Sequence, residues 1–198
     1  MLFSNPEIAA FVREQFVAAW EGVRPVPTVE IDFGNGRKLK RTVNGNIATY
    51  VCSPDGRVLD IIPGLNSPEA YLDDLRHALN LYRATFAKGR DFERVVLGYH
   101  AANPGKPVSH EAVRDPSKDD VERPVRPLTA EDAAILAKDT EINRRERKPL
   151  LHKILAEKMV RPAEITKRVY KEVLHCDLDD PYLGLVTSAF NGGAYEDR

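Results

Sequence analysis

Thr49-Tyr50-Val51-Cys52-Ser53-Pro54-Asp55-Gly56-Arg57-Val58, running on through Ile62-Pro63-Gly64 to Ser67-Pro68-Glu69-Ala70-Tyr71-Leu72, is the stretch whose reading decides the fold. Ile47 to Cys52 and Arg57 to Ile62 read as two strands, and Ser53-Pro54-Asp55-Gly56 between them has the chemistry of a tight turn, so the two runs predict a hairpin ended by Pro63-Gly64. Ser67, Pro68 and Glu69 then supply a cap, a first-turn proline and an acid at the positive end of a helix. Leu72, Leu75, Leu79, Tyr82 and Phe86 recur on one face of that helix, which should run to about Thr85.

Working toward the N-terminus, Gly34-Asn35-Gly36 joins Thr28–Phe33 to Lys38–Val43 in a first hairpin. Val23-Arg24-Pro25-Val26-Pro27 before it is held extended by its prolines. Phe16-Val17-Ala18-Ala19-Trp20 reads as a short buried strand. Ahead of it, Ser4 or Asn5, Pro6 and Glu7 open a helix carrying Ile8, Phe11 and Val12 and ending near Glu14. The order is helix, strand, hairpin, hairpin, helix.

Toward the C-terminus, Asp91 to Ala101 fits either a strand, through Val95-Val96-Leu97, or a helix. Residues 103–127 hold five prolines among many charges, which reads as a linker. Thr129-Ala130-Glu131-Asp132 caps a helix to about Arg147, Pro149 permits another to Met159, and Pro162 with Glu164 starts a third to about His175. The expected organisation is a domain over 1–101, a Pro-rich charged linker over 102–128 and a helical C-terminal extension over 129–198.

The chain has 198 residues, enough for one domain with an appended helical unit, and its formal charge of −1 exerts no global pull on nucleic acid or anionic lipid. No stretch approaches the ~20 apolar residues of a membrane-spanning helix, and Met1-Leu2-Phe3-Ser4-Asn5-Pro6-Glu7 has neither a basic nor an apolar leader segment, so a cytoplasmic protein is expected. Cys52 and Cys176 are the two cysteines, too few for a disulfide framework or a cysteine zinc site.

Phe3-Ser4-Asn5-Pro6-Glu7-Ile8-Ala9 followed by Phe16-Val17 resembles the first helix and next strand of thioredoxin-like proteins. Thr49 to Val58, Ile62-Pro63-Gly64 and Ser67 to Leu72 are similar to that superfamily's terminal hairpin and closing helix. The resemblance covers about 85 residues. It implies an α/β fold, a thioredoxin-like mixed sheet with flanking helices, here followed by the α-helical extension. By descent it also implies thiol–disulfide exchange, in which a thiolate attacks a disulfide and a second thiol resolves the mixed disulfide. The Cys-x-x-Cys that would lie on the turn leading into Phe3 is absent, and Ile47 stands at the position where the family carries a cis-proline. Two explanations compete: a degenerate, non-catalytic module, or a Met1 internal to a longer product whose upstream segment bears the active site.

Other residues carry candidate chemistry. Cys52 reads as a lone peroxidatic or resolving thiol, or as a small buried apolar residue. Trp20, Arg24 and Asp32 flank Pro25 and Pro27 and would line a groove, with Ile47 as a further binding position; the plainer reading of Trp20 is core. His175, Cys176, Asp177, Asp179 and Asp180 suggest a metal or thiol site, or simply a helix end whose acids, disfavoured by the dipole, serve a partner or ion. His77, His100, His110 and His152 lack ligand spacing and read as solvated or capping. From Asp139 to Val173 ten basic residues face six acidic ones, a local charge near +4. Three functions follow in order: a redox-related thioredoxin-like protein lacking its cysteine pair, a non-catalytic protein-interaction module, and a nucleic-acid-binding accessory protein. No cofactor, metal or membrane is expected; a protein partner or self-association is.

Overall fold

Helix α1 (Pro6–Gln15) begins where Asn5 turns its side chain back to accept the N–H groups of Glu7 and Ile8, at 2.9 and 3.2 Å. The computed structural model describes residues 5–42, 46–86, 91–103 and 129–181. They fall into two compact units, Met1–Trp20 with Ile47–Glu164, and Glu21–Asn46 with Ile165–Arg198.

The first unit is built on the second predicted hairpin. Strand β3 (Ala48–Cys52) pairs antiparallel with β4 (Val58–Pro63), Thr49 opposite Ile62 and Val51 opposite Asp60. Gly56 makes the turn possible, at φ +82°. The register slips by one residue between Val51 and Cys52, a bulge with Val58 and Leu59 as the crowded side. All six residues of β4 are buried, so this strand is covered on both faces, unlike a half-exposed hairpin strand. Ser67 caps α2 (Pro68–Thr85), and Asp91 caps α3 (Phe92–Ala102), whose Val96 and His100 are buried one turn apart. The 3.6-residue period thus decides for helix where Val95-Val96-Leu97 left a strand open. The core joins Ile8 and Phe11 of α1, Val51, Leu59 and Ile62 of the hairpin, Tyr71, Leu72, Leu75, Ala78 and Leu81 of α2, and Val96.

Helices α4 (Ala130–Ile142) and α5 (Lys148–Leu155) belong to the same unit and are not separated at Pro149. A π-helical turn, Asn143–Arg147, carries one into the other, with Lys148 N–H bonding the carbonyl of Asn143. In a regular helix Pro149 would press on the carbonyl of Arg145; the wider turn relieves that clash. The expected linker lies, from 104 to 128, outside the described residues.

In the second unit β1 (Thr28–Asp32) pairs antiparallel with β2 (Lys38–Thr42). Helix α6 (Pro162–Arg168) continues through a second π turn, Val169–Val173, and His175 ends it in the left-handed region at φ 54°.

Two expectations are corrected. Phe16 to Trp20 is neither a strand nor buried: after Phe16, which packs edge-on against Phe11 at 6.0 Å, the chain is irregular, with Val17 102% and Trp20 92% exposed. Ala18 and Ala19 offer little area to bury, and among the described residues no neighbouring strand takes the segment up. In consequence the expected mixed sheet does not form among the described residues, whose strands make two separate two-stranded antiparallel sheets alongside the helices.

Candidate functional site

The outer edge of β4 is where the polar chemistry of the first unit collects. Gly64 N–H donates to Ile47 O across the hairpin, so Gly64, Ile62 and Asp60 turn their main chain toward β3, while Ile61 and Leu59 turn theirs away. An edge with unpaired main-chain groups, buried as this one is, must find other partners. Side chains and a loop carbonyl supply them. His100 Nε2–H donates to Leu59 O at 2.8 Å, the Lys148 ammonium donates to Ile61 O at 3.1 Å, Ile61 N–H donates to Asp60 Oδ1 at 2.8 Å, and Val58 N–H, turned outward by the bulge, donates to Val160 O at 2.8 Å. Pro63, last in the strand, has no N–H to satisfy, and its carbonyl accepts Asn66 Nδ2 at 3.0 Å.

These capping groups hold one another. Lys148 Nζ lies 2.7 Å from Asp60 Oδ2 and 3.8 Å from Asp74 Oδ1. Burial by itself would strip Lys148 of its proton, but the Asp60 and Asp74 carboxylates outweigh it and hold the ammonium above its ordinary range. Burial likewise would push Asp60 up, and the Lys148 charge outweighs it and holds the carboxyl below its usual value. His100 Nδ1 sits 2.8 Å from His152 Nδ1.

The tautomers follow from the carbonyl. Leu59 O can only accept, so the His100 proton is on Nε2 and its Nδ1 is the acceptor; His152 therefore carries its proton on Nδ1 and presents a bare lone pair at Nε2. That Nε2 is buried with no hydrogen-bond partner among the described residues, as is the Tyr99 hydroxyl. Burial keeps both rings neutral, lowering His100 and taking His152 down to about 4. Tyr99 stacks edge-on against both rings, at 5.0 and 5.6 Å.

One turn back along the same helix face a second polar set grips the loop from β4 to α2. Asn143 Nδ2 donates to Leu65 O at 2.7 Å and Asn66 Oδ1 at 3.1 Å, Arg147 donates to Asn143 Oδ1 at 2.7 Å, and Ser67 N–H donates to Thr140 Oγ1 at 2.8 Å. Gly64, at φ +63°, passes so close that a Cβ would lie 2.8 Å from the Arg147 guanidinium. Thr140, Asn143, Arg147, Lys148 and His152 thus form a continuous polar stripe seating the 130–155 helix on the hairpin. A cleft of about 430 Å3 opens beside it between Ser67-Pro68-Glu69 and Leu136 of α4.

The residues singled out from the sequence are distributed otherwise. Cys52 is half-buried on β3, and burial pushes its thiol up. Cys176 is buried, its thiol also raised by burial. Ile47 gives its carbonyl to Gly64, and no cis peptide occurs among the described residues. Trp20 belongs to the first unit, Arg24 and Asp32 to the second. Arg24 donates to the carbonyls of Leu178, Asp180 and Pro181, and Asp32 caps Gly34 and pairs with Lys38 at 3.5 Å. Of the acids after His175, Asp177 pairs with Lys171 and Asp179 with Lys167, each at 2.7 Å. Among the described residues no group of three His, Cys, Asp or Glu is placed to hold a metal. The basic run is partly neutralised in the same way, Arg145 by Glu141 and Glu146, Arg168 by Glu172, and Lys148 by Asp60.

The expectation of solvated histidines is corrected for His100 and His152, which are 0% and 1% exposed, while His100 does cap a main-chain carbonyl, that of Leu59; His110 lies outside the described residues. Asp60 and Lys148 were missed as a pair. The signal was present in Val58-Leu59-Asp60-Ile61-Ile62, a lone acid inside an apolar strand, which must find a buried cation. Comparison of the chain with protein-family models, with curated proteins and with solved structures returned no match.

Proposed function

We propose that this chain is a thioredoxin-like protein, redox-related by descent, that acts by holding a partner protein, a second copy of itself included, and not by turning over disulfides through its own thiols. The observation that carries the reading is the irregular run after α1, where Val17 and Trp20 stand almost wholly in solvent. Tryptophan is enriched among the residues that anchor protein interfaces. The thiols support it from the other side. Both have raised pKa values, which leaves little thiolate to attack a disulfide near neutral pH. The paired cations of the C-terminal helices give no support to nucleic-acid binding.

Trp20 is the chain's one tryptophan, so its own fluorescence tests the proposal. As concentration rises, emission should shift to the blue while sedimentation velocity reports a larger species, and Trp20→Ser should remain monomeric with the same circular dichroism. A wild-type chain that stays monomeric, and whose Trp20 emission stays solvent-like when mixed with a lysate fraction of its source, would remove the interaction reading. Turnover of a disulfide substrate that is lost in Cys52→Ser would replace it with the redox one.

A further inference from the structure

The histidine pair at the β4 edge has one place where a proton can be added without breaking any bond now made. Adding it to His100 Nδ1 would destroy the His100–His152 hydrogen bond. Adding it to His152 Nε2 leaves that bond intact, because His152 still donates through Nδ1. We propose that His152 Nε2 is the proton acceptor of a pH-sensitive latch, and that its protonation releases α5 and α3 from the outer edge of β4.

The release follows from what surrounds the new N–H. His152 is buried, and its Nε2 faces no acceptor among the described residues, so the imidazolium would carry a charged donor with nothing to bond. The groups facing the pair are Asp60 of β4, Asp74 and His77 of α2, Tyr99 of α3 and Lys148 of α5. With Asp60 and Asp74 ionised and Lys148 charged, the cluster carries one net negative charge while both histidines are neutral. The field therefore tolerates one more proton, although the closed packing gives it no partner. Opening hydrates Nε2–H and resolves the conflict. Because His100 and Lys148 are the caps on Leu59 O and Ile61 O, the same opening bares the main chain of β4, which a second strand could then pair.

The sign and size are readable. A histidine held near 4 when closed and free to titrate near 6.5 when open favours opening as pH falls through that interval, by about 30-fold between pH 7.5 and 5. Hydrogen exchange at the Val58 and Ile61 amides, corrected for the intrinsic pH dependence of exchange, should show that increase relative to amides in the middle of α2. His152→Asn keeps a donor at the Nδ1 position and takes up no proton, so its exchange should be flat over the same range. An equal acid response in both proteins would overturn the proposal. If His152→Asn fails to fold, the wild-type imidazole resonances decide. A buried histidine still neutral at pH 5.5 whose titration coincides with the loss of Val58 and Ile61 protection supports the latch, and His152 titrating at an ordinary value with the β4 amides still protected refutes it.

Discussion

Replacing Lys148 by methionine removes the cation from the β4 edge while keeping the volume of its stem. Lys148 and Asp60 are 10% and 2% exposed in their side chains and 2.7 Å apart, a buried pair in which deleting one partner strands the other. Such deletions cost roughly 3–5 kcal/mol, most of it the penalty on the charge left behind. Loss of the cap on Ile61 O is contained in that figure. With a urea slope of about 2 kcal/mol per molar, the unfolding midpoint followed by circular dichroism should fall by about 2 M at pH 7. The pH dependence identifies the cause. In the wild type the Asp60 pKa is lowered on folding, so its contribution is present above the unfolded value near 3.9 and is lost as pH falls through the lower folded one. Without Lys148, burial outweighs the Ile61 N–H and the histidines that still favour the carboxylate and raises the Asp60 pKa above the unfolded value, so the folded variant binds the proton more tightly and gains stability as pH falls. The deficit relative to wild type should therefore shrink between pH 7 and 5, and Asp60→Asn added to Lys148→Met should recover most of it. A deficit below about 1 kcal/mol, or one that is constant over that range, would refute the claim that a paired buried charge seals this edge.

Gly64→Ala should cost about 2–3 kcal/mol in the same assay, because a left-handed residue is strained by roughly 1 kcal/mol and its Cβ would meet Arg147 at 2.8 Å and Asn143 at 3.0 Å. Gly56→Ala, at a similar φ but meeting only the flexible tip of Arg161 at 3.1 Å, should cost about half as much; equal costs would argue against the crowding at Gly64. Removing Glu146, more than half exposed in the π turn, together with Pro149→Ala should restore a regular helix with Asn143 and Lys148 still on one face and cost less than about 1 kcal/mol, whereas removing Glu146 alone returns the Pro149 clash and should cost roughly 3 kcal/mol. Removing Lys153 instead, inside regular α5, should rotate Ile154 and Leu155 out of the core and cost more than about 3 kcal/mol by the loss of their burial.

The hairpin from Ala48 to Pro63 and the helix after it were legible because each rests on local chemistry: a turn that needs Gly56, a cap that needs Ser67, an apolar face at helical spacing. Phe16 to Trp20 was misread for the complementary reason. Its composition suits a strand, but a strand exists only against a neighbour, and no local rule says whether the neighbour is there. The histidines failed on distance: His100 and His152 are 52 residues apart, and only the packing of α3 against α5 makes them a pair. Asp60 was the one member of the cluster that its own sequence betrayed, since an acid flanked by Val58, Leu59, Ile61 and Ile62 has no solvent to turn to.

Why the edge is sealed by charge and not by more hydrophobic surface follows from the direction of the groups being sealed. Leu59 O and Ile61 O point outward from a strand buried on both faces, and an apolar side chain laid over them would leave two carbonyls without partners, at roughly 1–3 kcal/mol each. Donors are required, and they must reach from helices, which offer only side chains because their own main-chain groups are already paired. Lysine and histidine are the long donors that suffice, and each brings a problem that the neighbouring residue answers: the lysine charge requires Asp60, and the second histidine nitrogen requires the Nδ1–H of His152. The chain of requirements stops at His152 Nε2, which among the described residues is buried and left unanswered. A fold that answers both outward carbonyls of an edge and leaves a basic nitrogen open beside them has put its acid sensitivity at the joint that holds the 130–155 helix to the hairpin.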